Sequence, residues 1–388
     1  MPMRRSPCVP AMFGVALFCL GAMAGCIDEA GSPPPPYVGE PDAASSDGAM
    51  FRAGLARTGA FDADPPRGGQ LRWRYETGGP VLSSPVAHNG TVYFGSNDGD
   101  VYAVTAETGA LRWRFPTDGG VTSTPAIAGD YLYVGSKDGR LYQLETATGR
   151  KRAHVDTQME VTSSPAVADG IVYVGSSTGT LHAVDVDTMQ SRWTTGTDGA
   201  ILSSPTVVEG RVYVGSNDGN LYAFAASDGR RLWNYTTDDR VFSTPAVLDG
   251  KVMFGGVDGF FGVHDAENGD ELWNYHLGVG LDEIWASPAA DGDRAYFGVF
   301  NQRFYAVDLA ARDDAWIAES GGGILSSAAV AGGVVFFGSA DDRLYALDAA
   351  RGAVVWSYRT GGDVNSSPWV EDGVVYVGSD DGFLYAIG

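Results

Sequence analysis

Cysteine is scarce in this chain of 388 residues, which has only three: Cys8, Cys19 and Cys26. All three lie near the amino terminus, so a disulfide framework is excluded for the folded part of the chain. Basic residues are also few, with 26 Lys and Arg against 48 Asp and Glu and a formal net charge of -22. This balance excludes non-specific binding to nucleic acid, which requires a positively charged face that displaces counterions.

Glycine, by contrast, is abundant, with 54 residues, which is roughly twice the average usage. The period of three that collagen-like chains show is missing, so the glycines indicate many tight turns. Hydrophobic residues make up 44% of the chain. That content is enough to bury a sizeable core, and it excludes wholesale disorder.

The first 25 residues are typical of a secretory signal peptide. Arg4 and Arg5 precede an apolar run over residues 11–24, which is too short to remain as a membrane span. The run ends in Met23-Ala24-Gly25-Cys26, which resembles the bacterial lipobox, although that pattern prefers Leu where Met23 stands. The resemblance implies that Cys26 is acylated and becomes the mature amino terminus. The alternative is an ordinary signal peptide that is cut before Cys26 and leaves a free thiol.

The residues after Cys26 predict how the protein is held at the membrane. Ile27 follows the cysteine, and the absence of Asp there implies sorting to the outer membrane, facing the periplasm. Residues 27–50 are rich in Pro, Ser, Ala and Asp and are typical of an extended spacer. We therefore expect a lipidated tether and lead-in segment over residues 26–65.

From about residue 66 the chain repeats itself with a period of 40 residues. A Ser/Thr-Pro pair ending at Pro85 recurs seven more times, with Ala328 in place of one proline and one spacing of 43. A glycine follows ten residues after each such position. A tryptophan lies eighteen residues beyond each of the first seven glycines except in the second copy, which has Ala153. The tryptophans are Trp113, Trp193, Trp233, Trp273, Trp316 and Trp356.

Each repeat contains four short runs with strand character, separated by Asn-Gly, Asp-Gly and Thr-Gly turns. In the first repeat these runs are residues 81–87, 91–95, 101–105 and 110–115. Four strands in about 40 residues are the size of one β-propeller blade. The eighth repeat stops after three strands, and Trp73 lies one period before Trp113. The sequence thus predicts an all-β, eight-bladed propeller over residues 66–388, closed by the amino-terminal strand completing the last blade.

The turn before the repeated tryptophan carries a family resemblance. Ala103, Thr105, Thr108, Gly109 and Trp113 follow the tryptophan-docking motif of propellers of the pyrroloquinoline-quinone type. The resemblance covers nearly the whole repeat region and implies that the indoles join neighbouring blades. The expected structural set is Trp73, Trp113, Trp193, Trp233, Trp273, Trp316 and Trp356.

Enzymes of that family need a divalent cation with carboxylate and amide ligands, plus a carboxylate base, in the funnel of the innermost strands. Here the innermost strands present hydroxyl groups: Ser84, Thr124, Ser164, Ser204, Thr244, Ser287, Ser327 and Ser367. The carboxylates lie mostly in hairpin turns, and the five histidines share no spacing typical of metal ligands. His264 and His276 are expected in exposed loops. We therefore expect no catalytic residue, no cofactor and no metal.

One region breaks the repeat and is the candidate for binding a partner. Three additional residues fall within 277–285, and the following blade replaces its Asp-Gly turn with residues 300–303. Connections between blades and second hairpins emerge on one face of a propeller. The predicted patch is Asp282, Glu283, Trp285, Phe300, Gln302 and Arg303, since aromatic residues and Arg are common at binding hot spots. The alternative is a diverged blade whose aromatic residues fill its own core.

The whole chain resembles the lipid-anchored propellers of the outer-membrane protein assembly factor BamB family. The resemblance implies a non-catalytic, monomeric scaffold that binds protein partners, such as β-barrel assembly subunits, and binds the membrane through its lipid. Residues 50–52 and 56–59 are instead similar to the lead-in of stand-alone quinone-type repeat proteins. The alternatives are a receptor for a small ligand or cation and, less favoured, a quinone-dependent dehydrogenase.

Overall fold

The computed structural model describes residues 49–277 and 282–388. They form eight sheets around a central hub, each built of four antiparallel strands, and one of the sheets has an additional fifth strand. From the second blade onward each innermost strand contacts the next, and the last contacts the first, while a hydrogen bond from Ser83 to the Ser123 carbonyl joins blades one and two. The eight-bladed propeller that the 40-residue repeat predicts is therefore confirmed.

Each blade contains an innermost, a second, a third and an outermost strand. The innermost strands are β3 (Val86–His88), β7 (Ala126–Ala128), β11 (Ala166–Ala168), β15 (Thr206–Val208), β19 (Ala246–Leu248), β23 (Ala289–Asp291), β27 (Ala329–Ala331) and β31 (Trp369–Glu371). The second strands are β4 (Thr91–Gly95), β8 (Tyr131–Ser136), β12 (Ile171–Gly175), β16 (Arg211–Gly215), β20 (Lys251–Gly255), β24 (Arg294–Gly298), β28 (Val334–Ser339) and β32 (Val374–Gly378).

The outer half of each blade holds the two longer strands. The third strands are β5 (Asp100–Thr105), β9 (Arg140–Glu145), β13 (Thr180–Asp185), β17 (Asn220–Ala225), β21 (Phe260–Asp265), β25 (Arg303–Asp308), β29 (Arg343–Asp348) and β33 (Phe383–Ile387). The outermost strands are β6 (Leu111–Pro116), β10 (Lys151–Asp156), β14 (Ser191–Gly196), β18 (Arg231–Thr236), β22 (Glu271–His276), β26 (Asp313–Glu319), β30 (Val354–Arg359) and, in the last blade, β2 (Leu71–Glu76).

The two ends of the propeller pair in one sheet, as the spacing of Trp73 predicts. β2 runs antiparallel to β33, with Trp73 opposite Ala386 and Tyr75 opposite Leu384. Beyond this pair, the amide of Gln70 donates to the carbonyl oxygen of Gly388 at 2.8 Å. The last blade therefore leaves no unpaired strand edge at the junction of the termini.

The first strand of each blade is shorter than the sequence predicts. In blade one it spans Val86–His88, whereas residues 81–85 are irregular. Pro85 has no amide hydrogen and cannot continue a ladder. The buried serines before it form hydrogen bonds to the next blade instead, as described below.

The core lies between neighbouring sheets and consists of β-branched and aromatic side chains. Phe261 stacks on Phe297 with ring centroids 4.6 Å apart, and Phe304 stacks on Phe337 at 4.2 Å. The periodic glycines permit the close approach of consecutive blades. A Cβ on Gly95 would lie 2.2 Å from Val121 Cγ1, so no larger residue fits there.

The repeated indoles join adjacent blades at the turn between third and outermost strands. Trp73 lies on Gly109, whose φ is +71°, and its Nε1 donates to the Ala106 carbonyl at 2.9 Å. Equivalent bonds to the next blade at 2.8–3.3 Å are made by Trp113, Trp193, Trp233, Trp316 and Trp356. In two turns another residue with positive φ stands in place of this glycine: Met189, at φ 52°, and Arg312, at φ 60°, in the blade after Trp273.

Outside the blades, the amino-terminal residues form a 3-10 turn over Phe51–Ala53 and the short strand β1 (Ala60–Phe61). β1 pairs in parallel with β27, so that sheet has five strands. In the part of the chain that is described, no helix has the length and hydrophobicity required to cross a membrane.

Candidate functional site

Two predicted features lie outside the described residues. Cys26, the signal peptide and residues 27–48 precede the first described residue, Ala49. Gly278, Val279, Gly280 and Leu281 of the insertion are also outside the description. The docking tryptophans lie between the blades, as described above. The described residues of the predicted patch lie on the face where blades are connected to one another, which we name the connection face.

A closed ring of hydrogen bonds surrounds the hub. In each blade the residue before the proline slot donates its backbone amide to the hydroxyl of its counterpart in the next blade. Ser84 donates to Thr124, and Ser367 donates to Ser84, which completes the circle. All eight bonds measure 2.9–3.2 Å. The periodic Ser and Thr residues therefore serve as acceptors that hold consecutive blades together.

The amino-terminal lead-in lies inside the hub. We name residues 49–64 the hub segment. Its backbone carbonyls accept hydrogen bonds from the innermost strands of five blades, at 2.7–3.1 Å; the accepting residues are Ala49, Leu55, Ala56, Thr58 and Gly59. Phe61 packs edge-on against Trp369 with centroids 5.0 Å apart. The hub segment thus pairs with strand edges that the sheets alone leave open.

Two arginines of the hub segment are buried. Arg57 has no exposed surface, and it donates to the carbonyl oxygens of Phe51, Pro165 and Pro205, the last two at 2.8 and 3.1 Å. Arg52 is 4% exposed and donates to the Pro288 carbonyl. Within the described residues neither guanidinium forms an ion pair with a carboxylate. Both charges are therefore accommodated by carbonyl dipoles.

Burial lowers the pKa of Arg57 to about 9. Burial, and then the nearby charge of Arg57, lowers the pKa of Arg52 to about 9. Both groups therefore remain positively charged at neutral pH. Nε and Nη1 of Arg52 are buried and form no hydrogen bond among the described residues.

The hub residues do not fit a quinone cofactor with a divalent cation, which the enzymes of the resembled family hold there. The space is occupied by the hub segment, whose two guanidinium charges repel a cation. The hydroxyls around it are engaged in the ring of hydrogen bonds. Across residues 49–277 and 282–388, no group of three or more His, Cys, Asp or Glu side chains is placed to hold a metal.

The carboxylates of the second hairpins brace their own turns. Asp98 accepts hydrogen bonds from the amides of Gly78 and Asp100 and from the Tyr102 hydroxyl, at 2.7–2.9 Å. The hydroxyl of Tyr222 is bonded in the same way to Asp218 at 2.9 Å. These oxygens are directed at turn amides and tyrosines, so they connect one blade to the preceding one.

One histidine differs from the expectation of an exposed loop position. His264 lies in β21 and has no exposed surface. Its ring lies 4.0 Å from that of Tyr235, and burial lowers the pKa of His264. Gly262 stands in this blade where six of the other seven blades have a tyrosine, and the imidazole fills part of that space. His264 therefore belongs to the core of its blade. This role explains why the sequence shows no spacing typical of metal ligands around it.

Several residues of the predicted patch lie together on the connection face. The Phe300 amide donates to the Glu283 carbonyl at 3.0 Å, and the Asn301 side-chain amide donates to Asp282. Trp285 Nε1 donates to Glu283 Oε2 at 2.6 Å. The insertion and the altered turn are therefore hydrogen-bonded to each other.

The patch also extends to residues that sequence reasoning missed. The Trp285 indole stacks on Phe242 with ring centroids 4.3 Å apart, and the Arg240 guanidinium lies 5.3 Å above the Phe242 ring. Phe242 occupies the same repeat position in its blade as Trp285 in the next. A comparison of that position across the repeats would have identified the pair of Phe242 and Trp285 in the sequence.

The other two patch residues lie on the altered turn. Gln302 has a φ of 74°, in the place that glycine occupies in the Asp-Gly turns. Its side chain and that of Arg303 are exposed. Phe300 is 44% exposed. Aromatic, acidic and basic groups are thus available to solvent on one surface.

The sequence matches one family model over most of its length. The model described as outer membrane protein assembly factor BamB matches residues 57–157, 146–325 and 306–388. Among curated proteins, no match to the sequence is found.

Solved structures share the fold at low sequence identity. BamB from Moraxella catarrhalis superposes with a TM-score of 0.71 and 17% identity, over 82% of this chain and 97% of that one. The quinohemoprotein alcohol dehydrogenase from Comamonas testosteroni has a TM-score of 0.76 and 19% identity, over 87% and 80%. A europium-containing methanol dehydrogenase has a TM-score of 0.75 and 14% identity, over 88% and 98%.

At these identities the structural likeness shows the fold alone, and it includes both a BamB and two dehydrogenases. The family model covers the propeller from the hub segment to the last residue. On that match, the chain belongs to the family of the outer membrane protein assembly factor BamB, within the β-propellers of the quinone type.

Proposed function

We propose that this protein is a non-catalytic scaffold that binds other proteins in the bacterial cell envelope, with a BamB-like role in the assembly of outer-membrane proteins. It acts as a monomer, anchored to the outer membrane by lipid on Cys26 and facing the periplasm. The family membership supports the general role.

The occupied hub is the single observation that carries the proposal of a non-catalytic protein. A quinone-dependent dehydrogenase must expose its reactive centre to substrate. Here the hub segment pairs with innermost strands of five blades. Its two buried arginines oppose the binding of a cation in the same space. With its hub filled, the ring of blades is a rigid disc that presents its loops to protein partners.

The surface formed by Asp282, Glu283, Trp285 and Phe300 is the proposed contact with a protein partner. Trp285 is held by Glu283 and by stacking on Phe242, so little side-chain entropy is lost when a partner binds. Phe300 is 44% exposed, and its amide donates to the Glu283 carbonyl. A preorganised aromatic pair flanked by charges is the composition of a binding hot spot.

Co-purification tests this role. The tagged full-length protein is isolated from detergent-solubilised outer membranes, and co-purified β-barrel assembly subunits are identified by mass spectrometry. We expect such a subunit with the wild type and at least a severalfold loss with the W285A/F300A double variant. The variant I317A is the matched control, since Ile317 on the outermost strand β26 is 46% exposed.

Other outcomes distinguish the alternative functions. Dye reduction by the purified protein with added quinone and calcium would establish an enzyme and contradict the scaffold. A saturable rise in Tm with a single metabolite, without any co-purified subunit, would instead establish a receptor. Mass spectrometry of the mature amino terminus tests the anchor, for which we expect diacyl or triacyl Cys26.

A further inference from the structure

The rim of the propeller has an uneven distribution of charge. The outermost strands β2, β6, β10 and β14, on four consecutive blades, have seven basic residues: Arg72, Arg74, Arg112, Arg114, Lys151, Arg152 and Arg192. Their only acidic residues are Glu76 and Asp156. The other four outermost strands have Arg231 and Arg359 against Glu271, Asp313, Asp314 and Glu319. A chain of net charge -22 thus has a positively charged sector.

Exposed aliphatic side chains lie in this sector and on the blade beside it. Leu71 and Leu111, at the start of β2 and β6, are 42% and 46% exposed. Val354 and Val355, at the start of β30 on the adjoining blade, are 59% and 48% exposed. We name the exposed side chains of β2, β6 and β10, with Val354 and Val355, the basic rim.

Most contacts of the arginines of the basic rim hold the guanidinium groups in place without neutralising their charge. Arg72 donates to the Gly373 carbonyl at 3.2 Å. Arg74 lies 4.5 Å above the Phe383 ring, and Arg152 lies 5.5 Å from that of Tyr131. Among the described residues of the rim, Arg114 has an ion pair, with Asp100 at 3.4 Å. The guanidinium charges are therefore exposed and positioned by backbone and aromatic groups.

We infer that the basic rim docks on the surface of a lipid bilayer that contains anionic phospholipid. Guanidinium groups bind headgroup phosphates, and adjacent aliphatic side chains enter the boundary below them. An acidic polypeptide would meet the charges but would leave Leu71, Leu111, Val354 and Val355 without an apolar partner. The acidic remainder of the surface is repelled by the same bilayer, which sets the orientation of the disc.

This inference does not depend on acylation of Cys26, and the test removes the lipid. The chain from residue 26 onward, with Cys26→Ser, is sedimented with vesicles of phosphatidylglycerol and phosphatidylcholine or of phosphatidylcholine alone. We expect binding to the anionic vesicles only. The bound fraction should disappear in high salt, because screening shortens the reach of surface charges to a few ångströms.

Two variants locate the binding surface. R72Q/R74Q/R112Q/R114Q should reduce the partition coefficient at least about tenfold, and L71S/L111S should reduce it severalfold. The matched controls lie outside the basic rim. They are R230Q/R231Q at the start of β18, and L272S/I317S, at Leu272 (39% exposed) on β22 and Ile317 (46% exposed) on β26. These should bind as the wild type does. Circular dichroism and Tm verify that each variant is folded.

Three results would overturn the inference. The first is equal binding to anionic and neutral vesicles, and the second is binding that the four arginine substitutions leave unchanged. The third is binding to poly-glutamate but not to vesicles, which would assign the basic rim to an acidic polypeptide. None of these results bears on co-purification with assembly subunits, so the proposed function is tested separately.

Discussion

The side-chain amide of Gln143 donates to the carbonyl oxygen of Val186 at 2.8 Å, across the junction between the second and third blades. In six other junctions a tryptophan Nε1 bonds the corresponding carbonyl. Here the tryptophan is replaced by Ala153, and Met189, at φ 52° and 7% exposed, stands where the docking glycine would lie. Three departures from the repeat thus compensate one another.

This relationship predicts a non-additive set of substitutions. Gln143→Ala should lower the free energy of unfolding by about 1–3 kcal/mol, because it leaves the Val186 carbonyl without its donor. Ala153→Trp alone should also be destabilising, since Met189 occupies the space of the indole. The triple variant Q143A/A153W/M189G restores the docking arrangement and should recover most of the loss. Urea unfolding measures all three, with exposed Gln190→Ala as control.

Additive losses in the triple variant would contradict the compensation. They would mean that the junction differs from the others in its backbone as well as in its side chains.

The ring of hydroxyls predicts which substitution the hub tolerates. Ser204→Ala removes the acceptor of the Ser164 amide and should cost about 1–3 kcal/mol of unfolding free energy, because a buried donor is left unsatisfied. Ser204→Thr should be nearly neutral, since Thr124 and Thr244 hold the same position in other blades. Chemical denaturation compares both with the exposed Ser227→Ala. An equal loss for Ala and Thr would exclude the hydrogen bond as the cause.

The hub segment predicts a strong effect of one added methyl group. Gly59 has a φ of +67°, and a Cβ there would lie 2.7 Å from the Ala328 carbonyl oxygen. Gly59→Ala should therefore be more destabilising than Gly333→Ala, whose φ is +78° but whose Cβ meets nothing within 4 Å. The Gly333→Ala control measures only the free-energy cost of a non-glycine residue at positive φ, which is about 1–2 kcal/mol. The readouts are urea unfolding and limited trypsin digestion.

Trypsin provides the sharper of these readouts, because Arg57 is buried in the hub. Cleavage after Arg57 should be slow in the wild type and in the Gly333→Ala variant, and fast in Gly59→Ala. Rapid cleavage of the folded wild type would contradict the placement of the hub segment.

The tyrosine–aspartate pairs of the hairpins predict sensitivity to alkali. Burial, and then the hydrogen bond to Asp218, raises the pKa of Tyr222 to about 12. Its folded pKa lies above the ordinary 10.0, so its contribution to stability is complete below pH 10 and is lost as the pH rises towards 12. Tyr222→Phe should therefore flatten the fall of the unfolding free energy over that window. Asp218→Asn removes part of the rise in the folded pKa, so the fall should end at a lower pH and be smaller.

Urea unfolding across this pH range checks the prediction. An unchanged slope in Tyr222→Phe would show that the phenol does not lose its proton on unfolding in this window.

Much of the architecture could be predicted because each blade is encoded locally. The number of blades and the pairing of the two ends of the propeller can be predicted from three features of the sequence. These are the 40-residue period, the turn glycines and the position of Trp73. The expectation for His264 was wrong for a related reason. Its blade departs from the repeat at Gly262 and His264 together, and only side-chain packing shows that the imidazole fills the space of the missing tyrosine.

The candidate site was predictable only in part. The break in the repeat identified Trp285 and Phe300, because an insertion and an altered turn are visible in the sequence. Phe242 was missed, since its stacking on Trp285 joins two connections 43 residues apart. The role of the periodic hydroxyls was also hidden, because each of them acts on the next blade and not on its own.

The sequence by itself determined the count of blades and where the ring closes, since both follow from spacing along the chain. Tertiary structure alone decided what fills the hub. Arg57 contacts Pro205 across 148 residues of sequence. The amides that donate to the hub segment point into a common space only after the eight blades have closed into a ring. A non-periodic segment leaves no trace of such a role in the sequence, because its partners are created by the ring.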